Sequence, residues 1–249
     1  RLREMRLEME GASYADYLDK LQEAGAIVEE MVSGDEIRSP SAQMRITPLG
    51  EVELLSTHDQ VLGGPTGQSY LGARFPADTA YGPAIMHEAT KVARRFVREG
   101  VIGRFALDFV VVRTHGGEWR PYAIEVNLRK GGTTHPFLTL QYLTDGHFDA
   151  ESGEFLTARG DRKCYRASDH VESPSYQMFT PDALFDVVSR HHLHFDHASQ
   201  TGVILHMVSG VGDLGRFGMT VIADDHDQVA ALYDRTVGIF DQEAQAALR

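Results

Sequence analysis

At 249 residues the chain is long enough to bury a real core as one large domain or two ordinary ones, and 42% hydrophobic with 24% charged residues is the balance of a folded chain. The net charge of −12 argues against a surface that tracks nucleic-acid phosphates. A single cysteine, Cys164, excludes an internal disulfide and a cysteine zinc site and fits a reducing cytoplasm, and apolar runs such as 109–112 and 203–205 fall far short of the ~20 residues of a membrane helix. With no signal peptide visible and a start at Arg1 in charged sequence, the chain reads as a piece of a longer cytoplasmic protein.

In chain order, Tyr14, Tyr17, Leu18 and Leu21 repeat at helical spacing and Gly25 follows where a helix would be capped, so 14–24 is expected to be a helix. Residues 26–32, 41–47 and 51–57 read as three antiparallel strands, the last two joined by Pro48-Leu49-Gly50. The stretch 58–82, with Gly63-Gly64-Pro65-Thr66-Gly67, is too long for an idle connection and reads as a site loop. A helix is expected from Pro83 to Gly100, with Ile85, Ala89, Val92 and Phe96 on one face. Strands at 104–113 and 119–126 follow, joined through His115-Gly116-Gly117-Glu118.

A helix should open near Thr133, and 145–161 reads as polar loop. A second region begins near Pro174, with a helix at 181–190, strands at 202–208 and 218–223, and a terminal helix at 227–248 that turns Val229, Leu232, Val237 and Phe240 inward. The expected division is 1–173 and 174–249.

The chemistry concentrates at the hairpin. Gly116-Gly117 can supply the two positive-φ residues of a tight turn, which sets His115 opposite Glu118 and therefore Asp108 opposite Glu125. Facing carboxylates have Cβ atoms only ~5 Å apart and repel, more so on a half-buried sheet flanked by Phe105, Phe109 and Val111. A divalent cation would resolve that conflict, and Asn127, two residues beyond Glu125, brings an amide oxygen to the same face. Magnesium suits two carboxylates and an amide, with water and phosphate oxygens completing its octahedron; Mn²⁺ could take the same donors. Arg129 and Lys130 then offer cationic grips, and Gly131-Gly132-Thr133-Thr134 offers open backbone before a helix N-terminus. A surface hairpin whose acids point to water would carry the same residues.

The run Glu125-Val126-Asn127-Leu128-Arg129-Lys130-Gly131-Gly132-Thr133-Thr134-His135-Pro136 resembles the metal-binding strand and following loop of ATP-grasp ligases. It is similar above all to the peptide ligases of the pheganomycin type and their relatives. Segments 27–34, 56–64 and 72–77 resemble the same family, and 202–207 with 215–220 looks like its small C-terminal domain, so the resemblance spans most of 26–241. It implies an α/β (α+β) fold: the C-terminal portion of an ATP-grasp unit, an antiparallel sheet layered with helices, plus a small C-terminal α/β domain.

It also implies ATP-dependent joining of a small-molecule carboxylate to an amine or peptide through an acyl phosphate, with ATP and Mg²⁺ as cofactors and neither nucleic acid nor membrane as partner. Carried over by position, Asp108, Glu125 and Asn127 match the magnesium ligands. Glu29, Glu30, Met31 and Val32 match the hinge that holds adenine and ribose, and Arg129, with Lys130 beside it, matches the contact to the transferring phosphate or acyl group. Arg38, Arg45, Asp59 and Arg74 map loosely onto the acceptor pocket. The family's upstream phosphate-gripping lysines and glycine-rich loop have no counterpart here, and Lys20 cannot replace both lysines. That departure keeps two alternatives open, a non-catalytic nucleotide-binding scaffold and a magnesium-dependent nucleotide hydrolase.

Other signals carry less. Gly210-Val211-Gly212-Asp213-Leu214-Gly215 has dinucleotide-binding spacing but precedes a strand rather than a helix, so it reads as a turn. The histidines at 191, 192, 194 and 197 match no established zinc spacing, and Thr57-His58-Asp59 reads as loop rather than a nucleophile and base. Cys164 reads as a small buried apolar residue rather than a nucleophile.

Overall fold

The computed structural model describes residues 4–8, 11 and 13–247. Helix α1 (Tyr14–Ala24) is set by a capping box in which Ser13 and Asp16 exchange side-chain and backbone hydrogen bonds. After it come β1 (Glu36–Arg38), β2 (Pro40–Ile46), β3 (Val52–Gly63), β4 (Ser69–Phe75), α2 (Gly82–Arg98), β5 (Gly103–Arg113) and β6 (Trp119–Asn127). Then follow α3 (Thr134–Thr144), the short hairpin β7 (His147–Asp149) and β8 (Glu154–Leu156), β9 (Cys164–Glu172), α4 (Pro181–Arg190), β10 (Gly202–His206), α5 (Val211–Leu214), β11 (Arg216–Ala223) and α6 (His226–Ala247).

Nine strands form one antiparallel sheet in the order β1-β5-β2-β3-β4-β9-β11-β10, with β6 paired to the free edge of β5. The sheet runs through position 173 without a break, since β9 pairs β4 on one side and β11 on the other. Alternation divides its two faces. Ala42, Met44, Ile46, Phe105, Leu107, Phe109 and Val111 bury against Ile85, Met86, Ala89 and Ala93 of α2. On the opposite face, Phe75, Tyr165, Ala167 and Ile222 pack on Phe137 and Leu140 of α3. A third core joins α4 and α6 to the far end of the sheet through Tyr176, Phe217, Met219, Val221 and Phe240. No described helix is long and apolar enough to cross a membrane.

The helices fall where the periodicity places them; the expected end of the last one, Leu248, lies outside the described residues. Three expectations are corrected. Residues 26–32 form no strand: Ile27, Val28 and Met31 are 87%, 95% and 84% exposed, and among the described residues the segment has no neighbour to complete a ladder. The stretch 58–82 is mostly the β3–β4 hairpin rather than a site loop. Gly72 in β4 permits its contact with β9, because a Cβ there would sit 2.2 Å from the Ala167 carbonyl oxygen. The polar stretch 145–161 contains the β7–β8 hairpin.

Candidate metal and phosphate site

The turn between β5 and β6 is one residue longer than a two-glycine turn. Thr114 N–H donates to Glu118 O (2.9 Å), Gly117 N–H donates to Thr114 O (2.8 Å), and of the two glycines only Gly117 takes positive φ, at 82°. Near the turn Arg113 therefore faces Trp119, a register one step from the expected one. A bulge between Asp108 and Phe109 takes up the difference, so Asp108 lies opposite Glu125 after all.

Three expected residues thus converge. Asp108 and Glu125 face each other across the ladder, and Asn127 Nδ2 donates to Asp108 Oδ2 at 3.0 Å. Burial pushes the Asp108 carboxyl up to about 6; the adjoining Glu125 carboxylate pushes the same way, against the pull of the Asn127 amide and the Arg129 charge. Asp108 points away from Leu107 and Phe109, hence away from α2. It opens on a cavity of about 340 Å³ lined also by Ser41, Gln43, Gln60, Gln68, Tyr70, Arg129 and Gly131 to Thr133. Arg129 is exposed and leans on the Lys130 carbonyl (3.3 Å), Lys130 itself is exposed, and Gly131 N–H donates to the Thr134 hydroxyl (3.2 Å) at the entry to α3.

The other expected residues lie elsewhere. Glu29, Glu30 and Met31 are exposed, Val32 is half-buried, and none of the four lines this cavity. Arg38, Asp59 and Arg74 gather around a larger cavity of about 520 Å³ with Tyr81, Lys163, Asp224 and His226. That cavity is on the α2 side of the sheet: Asp59 pairs with Arg74 in the ladder, accepts hydrogen bonds from Tyr81 Oη (2.6 Å) and Asp78 N–H (3.0 Å), and Tyr81 belongs to the α2 core. Arg45 stands apart in an exposed pair with Glu53.

Sequence reasoning missed Ser41, Gln43, Gln60, Gln68 and Tyr70. Ser41 and Gln43 alternate with the buried Ala42 and Met44, a pattern that marks them as outward on the same face as Asp108, but their pairing to β5 is non-local. Burial pushes the Cys164 thiol up to about 12, which disfavours the thiolate that a nucleophile needs. His58 is a structural residue, its Nε2 2.7 Å from Tyr165 Oη and its imidazole lowered to about 3 by burial. The glycine-rich 210–215 segment is a helical turn closed by Gly215 at φ 62°, not a strand-to-helix phosphate loop.

One large antiparallel sheet with helices on both faces is an architecture shared with solved structures. The N5-carboxyaminoimidazole ribonucleotide synthetase of Thermus thermophilus superposes with a TM-score of 0.55 at 17% identity, over 91% of this chain and 57% of that one. The phosphoribosylaminoimidazole carboxylase ATPase subunit of Aquifex aeolicus gives 0.53 at 13% identity, over 86% and 58%. At such identities these neighbours define the fold alone.

Residues 8–151 match the IQCH-like ATP-grasp family, to which the chain belongs, and residues 183–236 match the PGM1 C-terminal domain. The chain is 32% identical over 209 residues to an L-propargylglycine–L-glutamate ligase of Streptantibioticus cattleyicolor, covering 84% of this chain and 41% of that protein. It is 26% identical over 118 residues to IQ motif-containing protein H of Danio rerio, covering 47% and 11%. It thus spans less than half the length of either relative.

Proposed function

We propose that this chain forms the metal- and phosphate-handling part of an ATP-dependent ligase that joins a carboxylate to an amine, with an amino acid or peptide among its substrates. The observation that carries this reading is the facing of Asp108 and Glu125 beside Asn127, at the mouth of a polar cleft that also holds Arg129 and the glycine loop. Two carboxylates held together without a cation repel each other, and their hard oxygen donors fit Mg²⁺, with Mn²⁺ a compatible substitute. Turning the Asn127 amide over would add its oxygen to theirs. The ion would supply charge neutralisation for the transferring phosphoryl group.

The chain's own groups then have defined tasks. The substrate carboxylate attacks the γ-phosphorus of ATP and ADP leaves; the amine attacks the acyl carbon, loses a proton, and phosphate leaves. Arg129 grips the transferring phosphate or the acyl group, Lys130 adds positive charge to the rim, and Gly131-Gly132 lets backbone approach closely ahead of the α3 N-terminus. The backbone of 29–32 is assigned to adenine and ribose, because among the described residues its N–H and C=O groups make no backbone hydrogen bond. Gln60, Gln68 and Tyr70 line the same cleft, and we assign the acyl group and amine to their side of it in place of the looser mapping onto Arg38, Arg45, Asp59 and Arg74. We keep a division near 173, supported by family matches that fall on either side of it, although one sheet serves both parts.

The test is calorimetric titration of the gene product that carries this chain with a nonhydrolysable ATP analogue, with and without Mg²⁺, followed by phosphate release in the presence and absence of amino-acid amines. Magnesium-dependent binding and amine-dependent release are expected. Release that ignores the amine would replace the ligase with a hydrolase, and no nucleotide binding would leave a scaffold. The ligase relative supports this reading over both, since its match runs through the hairpin and the glycine loop.

A further inference from the structure

A second group of metal-ligating side chains lies on the same sheet face. His135 is the second residue of α3, Asp169 sits in β9, and His206 ends β10, so three elements distant in sequence bring them together. One ligand atom from each lies within 4.8 Å of the others. The two Nε2 atoms are 3.5 Å apart with their rings nearly perpendicular at 70°. Two imidazole nitrogens bound to one tetrahedral zinc at its usual bond length are separated by about 3.3 Å, so the pair already has the spacing of a shared ion.

The surroundings hold this geometry. His206 Nδ1 is buried without a hydrogen-bond partner, and the nearest carboxylate oxygen, Asp169 Oδ1, stands 3.6 Å away. Gly218 faces His206 across the β10–β11 ladder, and a Cβ there would fall 2.1 Å from Nδ1, so only glycine leaves the ring its place. Asp169 is 26% exposed, so its carboxylate can turn from beside Nδ1 toward the position shared by the two Nε2 atoms.

We propose that His135, His206 and Asp169 form a transition-metal site, with Zn²⁺ the best fit, separate from the carboxylate pair at Asp108 and Glu125. Two imidazoles and one carboxylate favour zinc over magnesium, and three protein ligands leave a fourth position for water or a substrate group. The two sites are neighbours, since half-buried Tyr70 lines the cleft of the first and feels the charges of both Asp108 and Asp169. The assignment stands on this geometry and does not depend on the ligase reading.

The test is titration of the gene product with Zn²⁺, and with Co²⁺ for its visible absorption in tetrahedral sites, in the native protein and in H135A, H206N and E125Q. One tight equivalent is expected, with a tetrahedral Co²⁺ spectrum; it weakens at least tenfold in both histidine variants and persists in E125Q. His135 is exposed, so H135A is expected to fold, which circular dichroism checks. Unchanged zinc uptake in both histidine variants would overturn the site and place any zinc on other histidines, and loss in E125Q alone would place it on the carboxylate pair. Either result would leave the ligase reading to be judged by its own nucleotide titration.

Discussion

Asp59 and Asp108 are two part-buried acids on opposite faces of one sheet, and burial raises the pKa of both. Asp59 is answered by neutral donors, the Tyr81 hydroxyl and the Asp78 N–H, and so has the partners of a structural residue. Asp108 is answered by a second carboxylate, and the amide of Asn127 satisfies only part of it. The difference separates an acid with the partners of a structural residue from the one we propose to hold a cation. Burial alone would not have distinguished them; the identity of the neighbour does.

The largest effect expected along this contrast is Glu125→Gln, which should weaken Mg²⁺-dependent nucleotide binding roughly a hundredfold while leaving the unfolding midpoint unchanged or higher, because a repulsive pair is removed. Calorimetry and urea unfolding of the same variant read both quantities. Unaltered binding would remove the hairpin from the site. Next comes Arg129→Ala, expected to lower turnover about tenfold or more with nucleotide affinity within a fewfold, since its charge is needed as the phosphoryl group transfers. A variant that turned over normally would relegate Arg129 to the rim.

Tyr81→Phe carries the contrast to the other face. It strands the Asp59 carboxylate without its hydroxyl donor and should cost about 1–3 kcal/mol of stability, with little change in magnesium-nucleotide binding. Chemical denaturation checks the first part. A loss of nucleotide binding as large as that in the Glu125 variant would mean that the α2-side cavity belongs to the reaction, as the looser assignment of Arg38, Asp59 and Arg74 supposed.

What was legible in the sequence follows the range of the interactions. Helices α1, α2, α4 and α6 are local, and their apolar spacing, with the side-chain caps of α1 and α4, is written in consecutive residues. The facing of Asp108 and Glu125 was also reached locally, but through compensation: the turn holds one residue more than expected and the bulge at Asp108/Phe109 restores the register. Bulges leave little trace in a run such as Trp119–Asn127, which alternates imperfectly in any case. Residues 26–32 carry apolar side chains in a strand-like run, yet a strand exists only with a neighbour, and none is formed among the described residues. Ser41, Gln60 and Tyr70 are brought beside Asp108 only by the β2–β5 pairing, which joins strands distant in sequence and which no window of consecutive residues contains. His135, Asp169 and His206 were hidden for the same reason, although two of them stood inside motifs already noted.

The smallest effect is the pH dependence of stability, and its sign tests the same contrast. The Asp108 carboxyl titrates near 3.8 when unconstrained and at about 6 in the folded chain, so between those values the folded state binds more protons than the unfolded one. The contribution of this group is therefore fully present below pH 4 and is lost as pH rises through 6. Allowing for solvent screening at the open cleft, the loss is about 1–2 kcal/mol. Asp108→Asn removes the titration. In the absence of divalent metal the variant should match the parent near pH 4 and exceed it in stability at pH 7, which urea unfolding across that interval can resolve. Asp59 shifts in the same direction but is common to both proteins, so it cancels in the difference. Parallel stability curves would mean that Asp108 carries no unfavourable charge in the folded chain, and the principal reason for placing a cation between it and Glu125 would be gone.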